Sequence, residues 1–337
     1  MFFFMNSNKM FFLFILWIST LISISSNSWF GCWIGLEINL LSFTPLISNP
    51  NNLYSNEASL KYFLIQSIAS INFLFIIMLK LMFMKNYFFN NLISIMINSS
   101  LLMKMGSFPF HFWFPNIINY MSWFNNFILM TWQKISPIIL MSYFFNKNFL
   151  IIVSIMNSMI GALSGFNQTS LRKILAFSSI NNLSWMIMSM MISENLFMMY
   201  FFFYFFFLFI LCFMFNMTNL FFINQLFIFN MNSLIKFSLL INMLSLGGLP
   251  PFLGFFPKWI IINFLINNYY FIITFIFIMM SLIMLFFYIR MFFSSFLLNY
   301  FKLKWMIFFF KNNNFNMIYL FNFFSISGMI FSTFVYL

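Results

Sequence analysis

A carboxylate and three lysines stand inside apolar runs where charge is out of place. Glu37 lies in Trp33-Ile34-Gly35-Leu36-Glu37-Ile38-Asn39-Leu40-Leu41, Lys104 in Leu102-Met103-Lys104-Met105-Gly106, and Lys134 in Thr131-Trp132-Gln133-Lys134-Ile135-Ser136-Pro137. Lys258 ends a segment rich in glycine and proline. A charged side chain at the centre of a membrane helix costs about 2.5–3.5 kcal/mol, so each needs a reason to be there. Glu37 has two readings: a structural partner for a lysine on a neighbouring helix, or a carboxylate on a proton path. The lysines divide in the same way, between an ion pair that never titrates and a relay. A carboxylate that moves nearer to or further from a buried ammonium loads and unloads its proton. Pro137 adds to the case for Lys134, because a proline in a helix frees a carbonyl one turn earlier.

Two helix-breaking segments accompany these charges. Gly106-Ser107-Phe108-Pro109-Phe110-His111-Phe112-Trp113-Phe114-Pro115 surrounds the lone histidine with one glycine and two prolines. Leu244-Ser245-Leu246-Gly247-Gly248-Leu249-Pro250-Pro251-Phe252-Leu253-Gly254-Phe255-Phe256-Pro257-Lys258 carries three glycines and three prolines. Non-helical backbone at membrane depth survives only where protein or a polar cavity surrounds it. Paired breaks in two halves of a chain point to a transport site. His111 titrates near neutrality and is either a further relay group or a structural hydrogen-bonder.

No G-x-G-x-x-G, phosphate-binding loop, haem-ligand pair, paired carboxylates or Ser/His/Asp set is present, so nucleotide binding and redox chemistry are expected on partner chains. Cys32 and Cys212 are far apart in apolar runs, and with His111 as the single histidine no zinc or iron–sulfur spacing arises. The Phe-rich run at 200–209 reads as a lipid-facing aromatic helix rather than a quinone pocket.

The elements that must hold these residues are membrane helices. Of 337 residues, 64% are hydrophobic and 5% charged, against about 25% charged in ordinary soluble domains. The solvent must be lipid. Stretches near 9–25, 29–48, 58–80, 88–116, 123–145, 149–168, 171–191, 196–222, 234–268, 270–298 and 315–336 make eleven expected spans of a single polytopic all-α domain, with 88–116 and 234–268 each read as a discontinuous helix. The net charge of +12 is scattered between the apolar runs rather than gathered in a stripe, which argues against nucleic-acid binding. Setting aside Lys104, Lys134 and Lys258, one side of these spans receives Lys9, Lys61, Arg172, Lys173, Lys236, Arg290, Lys302, Lys304 and Lys311. The other receives Lys80, Lys85 and Lys147 with Glu194, a nine-to-three asymmetry. It places the N-terminus on the inner side and the C-terminus opposite. The first residues lack the features of a cleavable targeting segment. The excess of Phe, Met, Ile, Asn, Tyr and Lys matches A/T-rich codons of a small organellar genome, so the inner side is expected to be the mitochondrial matrix.

Taken together, the blocks at 33–45, 57–63, 104–115, 129–137, 161–185 and 244–259 resemble those of the antiporter-like membrane subunits of mitochondrial respiratory complex I, in an A/T-rich animal form such as an insect's. That family is similar to the large subunits of multi-subunit sodium/proton antiporters. The resemblance implies an antiporter-like fold with eleven helices in animal members. It also implies a role in proton translocation across the inner mitochondrial membrane, coupled to NADH-to-ubiquinone electron transfer elsewhere in the complex. Glu37 would pair with Lys104, Lys134 would be the central relay lysine and Lys258 the lysine of the second broken helix. Lys61, Arg172 and Lys173 fit loop or interface roles equally well. NADH, FMN, iron–sulfur clusters and ubiquinone would belong to other subunits, with phospholipids bound at the surface. The partners would be neighbouring antiporter-like and small membrane subunits. The rival readings are a free-standing cation/proton antiporter, disfavoured by the dearth of intramembrane carboxylates, and a scaffold that only spaces its neighbours.

Carbonate washing of the native membrane at high pH is expected to leave the chain wholly in the pellet. Its release into the wash would contradict the membrane assignment.

Overall fold

Serine governs where several helices begin and what lies inside them. Ser28, Ser122 and Ser193 each take the residue before a helix and accept a hydrogen bond from the backbone N–H three residues on. Within the helices, Ser19, Ser23, Ser42, Ser70, Ser178 and Ser179 donate to the carbonyl three residues earlier. A hydroxyl satisfied by its own helix can be buried in an apolar interior without a partner elsewhere.

The structure, a computed structural model, describes residues 7–82, 87–228, 233–297 and 322–327. The helices are α1 Ser7–Ser25, α2 Trp29–Ile47, α3 Leu53–Met82, α4 Tyr87–Met105, α5 Trp113–Ile118, α6 Trp123–Met130, α7 Trp132–Ser142, α8 Lys147–Phe166, α9 Leu171–Ile192, α10 Glu194–Thr218, α11 Ile223–Ile228, α12 Ser233–Gly247, α13 Phe255–Asn267 and α14 Phe271–Leu297. Residues 322–327 are helical and fall within the expected span 315–336, the rest of which lies outside the described residues. So do Lys85, Lys302, Lys304, Lys311 and the boundary at 230–232. Among the described residues, seven helices are long and apolar enough to cross a membrane on their own.

The helices gather into two compact units, Met1–Val153 and Ser154–Leu337. In the first, α2 packs against α1 and α3, α3 against α4 and α5, and α7 against α1, α4 and α6. In the second, α10 packs against α9, α12 and α13, while α14 packs against α11, α12 and α13. Of the window of α9 that reads as a span, 89% is buried. That helix is the core of its unit although it carries Ser178, Ser179, Asn181, Asn182, Ser184 and Ser189, all of them buried. Elsewhere one helix face is left open: Phe11, Phe14, Trp17 and Leu21 on α1 and Phe275, Met279, Leu282 and Phe286 on α14 are exposed. Such faces need lipid or another subunit.

The two expected breaks are present, and a third was not legible. The span 88–116 divides into α4 and α5, and 234–268 divides into α12 and α13. The span 123–145 is also interrupted, at Thr131, whose φ of −115° and ψ of −75° end α6 and start α7. Thr131 holds this kink by donating its N–H and hydroxyl to the Phe127 carbonyl at 3.0 and 2.6 Å. Without a glycine at that point, the sequence gives no warning of the break.

In the second unit Gly161 marks the closest approach of α8 to α9. A Cβ at Gly161 would stand 2.7 Å from the Asn181 nitrogen and 2.8 Å from the Phe177 oxygen. Gly161→Val is expected to cost about 1–3 kcal/mol through overpacking, read as a lowered thermal midpoint of the detergent-extracted protein.

Candidate functional site

The turn after α4 sets one wall of the first site. Gly106, at φ 68°, takes a left-handed conformation, and a Cβ there would also meet the Phe114 side chain at 2.8 Å. Ser107 folds back on α4, its N–H and hydroxyl both donating to the Leu102 carbonyl, while the Trp113 indole donates to the Met103 carbonyl. These bonds satisfy backbone that the glycine and prolines withdraw from the helix. They bring α5 back beside the end of α4, where Lys104 sits in the last turn, a position that also suits a cation near the C-terminal carbonyls.

Lys104 and Lys134 line the same cavity, of about 20 Å³. They are 8% and 1% exposed. Leu36 and Asn39 of α2, Tyr62 and Gln66 of α3, and Gln133 and Ser136 of α7 share the wall. A water needs roughly 10–15 Å³ of such space and two to four polar partners, so the cavity accommodates about one. Gln66 donates to the Lys104 carbonyl at 3.0 Å, and Gln133 donates to Asn39 Oδ1 at 2.9 Å. The Phe114 ring lies 5.2 Å from the Lys134 ammonium, within reach of a cation–π attraction. Glu37 is only half-buried. It does not line the lysine cavity, and the ion pair found among the described residues is Lys61–Glu57. The expected pairing of Glu37 with Lys104 is thus not made as an ion pair among the described residues. His111 is 9% exposed, with its ring 4.0 Å from that of Phe112, and does not line the lysine cavity.

The second site belongs wholly to the second unit. Between α12 and α13 the chain turns at Gly248, φ 88°, and Lys258, 6% exposed, reaches back to the end of α12. Its ammonium donates to the carbonyls of Gly247 at 2.7 Å and Leu246 at 3.4 Å. Carbonyls at the end of a broken helix thus hold the charge where the described residues supply no carboxylate in contact. Trp185 of α9 stands 5.9 Å from the ammonium. Gly254 lets the break close, since a Cβ there would run into the Ser245 carbonyl.

Several residues here escape a reading by charge alone. Asn39 and Gln133 stand one or two residues from the flagged charges, a spacing that does not put them on the same helix face, so their place in the cavity wall was not legible from the charges. Tyr200 and Tyr204 lie in the run read above as lipid-facing. The structure corrects that reading for one face, because Tyr200, Tyr204, Phe207 and Leu208 are buried while Phe202 is exposed. The signal was the tyrosine pair, four residues apart, among phenylalanines. Lys236, counted above as a loop charge, is likewise buried at 3% exposure in the first turn of α12. Lys61 pairs with Glu57 at the exposed start of α3. Arg172 stacks over the Phe221 ring at 4.2 Å, and Lys173 follows it in the first turn of α9.

Residues 26–284 match the family described as the membrane domain of NADH:quinone oxidoreductase and Mrp antiporters. The chain is 50% identical over 332 residues to NADH-ubiquinone oxidoreductase chain 2 of Anopheles gambiae, covering 97% of each chain. It is 36% identical over 303 residues to the same subunit of Suncus etruscus, covering 86% of this chain and 87% of that one. The chain belongs to the NADH-ubiquinone oxidoreductase chain 2 family. Its antiporter-like fold has solved counterparts. A chain of respiratory complex I from Thermus thermophilus superposes with a TM-score of 0.75 at 17% identity, over 86% of this chain and 71% of that one. A chain of an archaeal membrane-bound sulfane sulfur reductase gives a TM-score of 0.79 at 16% identity, over 96% and 72%. A chain of the Mrp complex from Dietzia sp. gives 0.70 at 14%, over 84% and 59%. In this chain 2 homologue, Lys104, Lys134, Lys236 and Lys258 lie buried in the interior.

A Cβ at Gly248 would come within 3.0 Å of Lys258 Cδ and 3.1 Å of its Nζ. Gly248→Ala is expected to strain the left-handed turn by about 1 kcal/mol or more and push the ammonium off the Gly247 carbonyl. The loss reads as a lowered thermal midpoint larger than that of an alanine placed at Gly165, where the space is ordinary.

Proposed function

We propose that the chain is a proton-translocating membrane subunit of respiratory complex I and that Glu37, Lys104, Lys134 and Lys258 carry the protons. The observation that supports this most directly is the shared cavity: two lysines from separate helices, both buried, open onto space for about one water. A lysine in such a place has no role in covering a surface, and two of them repel each other unless one is neutral. In this reading Glu37 biases Lys104 by moving nearer to it or further away. When the carboxylate draws closer the ammonium is held, and when it withdraws the proton passes through the cavity to Lys134. In the second unit Lys258, bound to helix-end carbonyls, is a further proton-holding station. His111, outside the lysine cavity, is assigned a secondary relay role.

The energy comes from NADH-to-ubiquinone electron transfer in partner subunits, which hold FMN, the iron–sulfur clusters and both substrates. Family membership supports this assignment, and the open apolar faces of α1 and α14 support contact with neighbouring antiporter-like and small membrane subunits and with phospholipids. The setting is the inner mitochondrial membrane, spanned eleven times, with the N-terminus in the matrix and the C-terminus in the intermembrane space, as the lysine asymmetry supports.

The likeness to the Mrp complex keeps cation/proton exchange as the second reading. Lys134→Met in the assembled complex is expected to lower proton pumping about a hundredfold, the effect of removing a general acid–base group, while NADH oxidation by an artificial acceptor continues. Full pumping in assembled Lys134→Met complex would overturn the relay, and sodium-dependent flux without NADH would favour the exchanger.

A further inference from the structure

The sequence contains two arginines, Arg172 and Arg290, far apart along the chain. The second unit brings both to the turn between α8 and α9. Arg290 of α14 donates to the carbonyl of Phe166, the last residue of α8, and its guanidinium lies 4.6 Å from the centre of that ring. Arg172, the second residue of α9, lies over the Phe221 ring at 4.2 Å. Backbone bonds fix these supports to each other. The Leu171 N–H donates to the Phe221 carbonyl at 2.9 Å, and the Ile223 N–H donates to the Thr169 carbonyl at 3.0 Å. Gln225 Oε1 accepts from the N–H groups of both Phe221 and Phe222. Two guanidinium groups are thus seated on fixed aromatic rings at one corner, with Lys173 next to Arg172 in the chain. Arginine stacks on rings in this way and presents a planar fork of donors that matches an oxyanion.

The positive charge here has no counter-charge in its own unit. After residue 153 the sequence holds eight lysines and arginines and a single acidic side chain, Glu194. Glu194 opens α10 just beyond the end of α9 at Ile192, so the length of α9, about 30 Å, separates it from Arg172. α9 also begins without a side-chain cap, and Ser170 Oγ is buried with no hydrogen-bond partner, so the partial positive charge of the helix start adds to that of Arg172. Depth and surroundings complete the picture. Arg290 follows the start of α14 at Phe271 by about 29 Å of helix, which is the thickness of the hydrocarbon core. Phe166 stands equally far from the start of α8 at Lys147. Leu282, Phe286 and Phe293 share a face of α14 with Arg290 and are exposed, as is Leu163 of α8. The Phe286 ring stacks on that of Phe166 at 5.7 Å. An exposed apolar stripe therefore ends in arginines at headgroup level.

We propose that this corner of the second unit binds the headgroup of an anionic phospholipid, with Arg172 and Arg290 donating to its phosphate and Leu163, Phe286 and Phe293 lying along an acyl chain. The inference deepens the phospholipid contact proposed above and rests on it; the site and the lipid class are what it adds. Arg290 has five N–H donors, of which the Phe166 carbonyl takes one, and its side chain is exposed. Charge selects among lipids. A zwitterionic headgroup brings a quaternary ammonium that Arg172, Lys173 and Arg290 repel, whereas an anionic one leaves the phosphate charge unopposed. Basic pockets between membrane helices bind anionic headgroups for this reason. An acidic segment of a partner subunit would answer the charge and leave the apolar stripe open, while one phospholipid answers both. Bound there, it ties the end of α14 to the turn that starts the core helix α9.

The experiment reconstitutes the whole complex into phosphatidylcholine vesicles containing a trace of phosphatidylglycerol with a photoactivatable acyl chain, and maps the labelled peptides by mass spectrometry. Label is expected on the α8 and α14 peptides around Leu163 and Phe286, displaced by unlabelled phosphatidylglycerol and not by further phosphatidylcholine. Arg290→Gln and Arg172→Gln are each expected to lower that label about tenfold, the loss of a charge-assisted hydrogen bond, while Lys61→Gln in the first unit leaves it unchanged. Should one arginine variant fail to assemble on a native gel, the other variant and the wild-type competition carry the test. Equal labelling by a phosphatidylcholine probe, or undiminished labelling in an assembled arginine variant, would overturn the site. So would a carbodiimide cross-link from Lys173 to a partner's carboxylate, which would give the corner to an acidic segment. The probe occupies both leaflets, so the result depends neither on the orientation of the chain nor on pumping. Label on the α1 face without label at this corner sinks the inference alone, whereas no label on either α1 or α14 by any lipid probe sinks the phospholipid contact on which it rests.

Discussion

Burying an ammonium is the constraint around which the interior of this protein is arranged. An ion withdrawn from water carries a penalty of several kcal/mol even after relaxation, and the described residues offer little negative charge to offset it. Glu57 is spent on Lys61, and Glu194 stands in the first turn of α10. That leaves Glu37, which is only half-buried and makes no ion pair among the described residues. The lysines rest instead on partial charges: helix-end carbonyls at Lys258, an aromatic face at Lys134, and side-chain amides and a hydroxyl around the shared cavity. Such partners stabilise an ammonium through partial rather than full negative charges.

The broken helices follow from the same constraint. A continuous helix uses its carbonyls internally and has none to give. Stopping α12 at Gly247 and restarting at Phe255 frees the carbonyls of Leu246 and Gly247 for Lys258. Stopping α4 at Met105 lets Phe114 return to face Lys134. The remaining backbone at these turns is paired locally, as Ser107, Trp113 and Gly248 show. The interruptions therefore supply polar groups at chosen points while leaving little unsatisfied in an apolar surrounding.

The rest of each unit serves rigidity. Close approaches at Gly161 and Gly254 bring helices to within backbone distance, and serines satisfied by their own helices permit a polar core helix such as α9. Packed, discrete arrangements of this kind respond to a charge by switching rather than by yielding gradually.

Much of this was open to a reading of the sequence, because lipid tolerates so few solutions. Composition alone required membrane helices, isolated charges in apolar runs marked Glu37, Lys104, Lys134 and Lys258, and clustered glycine and proline marked two of the breaks. Each of these signals is local: an energy cost or a steric rule that one residue or a short segment carries by itself. The break at Thr131, the burial of Lys236 and the buried tyrosine face of α10 were decided by packing, since a threonine, a lysine near a helix start or a phenol in an aromatic run has an ordinary place at a surface too. Which lysines share a cavity and whether Glu37 forms an ion pair with Lys104 depend on contacts between residues far apart in the chain. Such contacts exist only once helices have chosen their neighbours, and hydrophobic patterning in a chain this apolar cannot specify that choice.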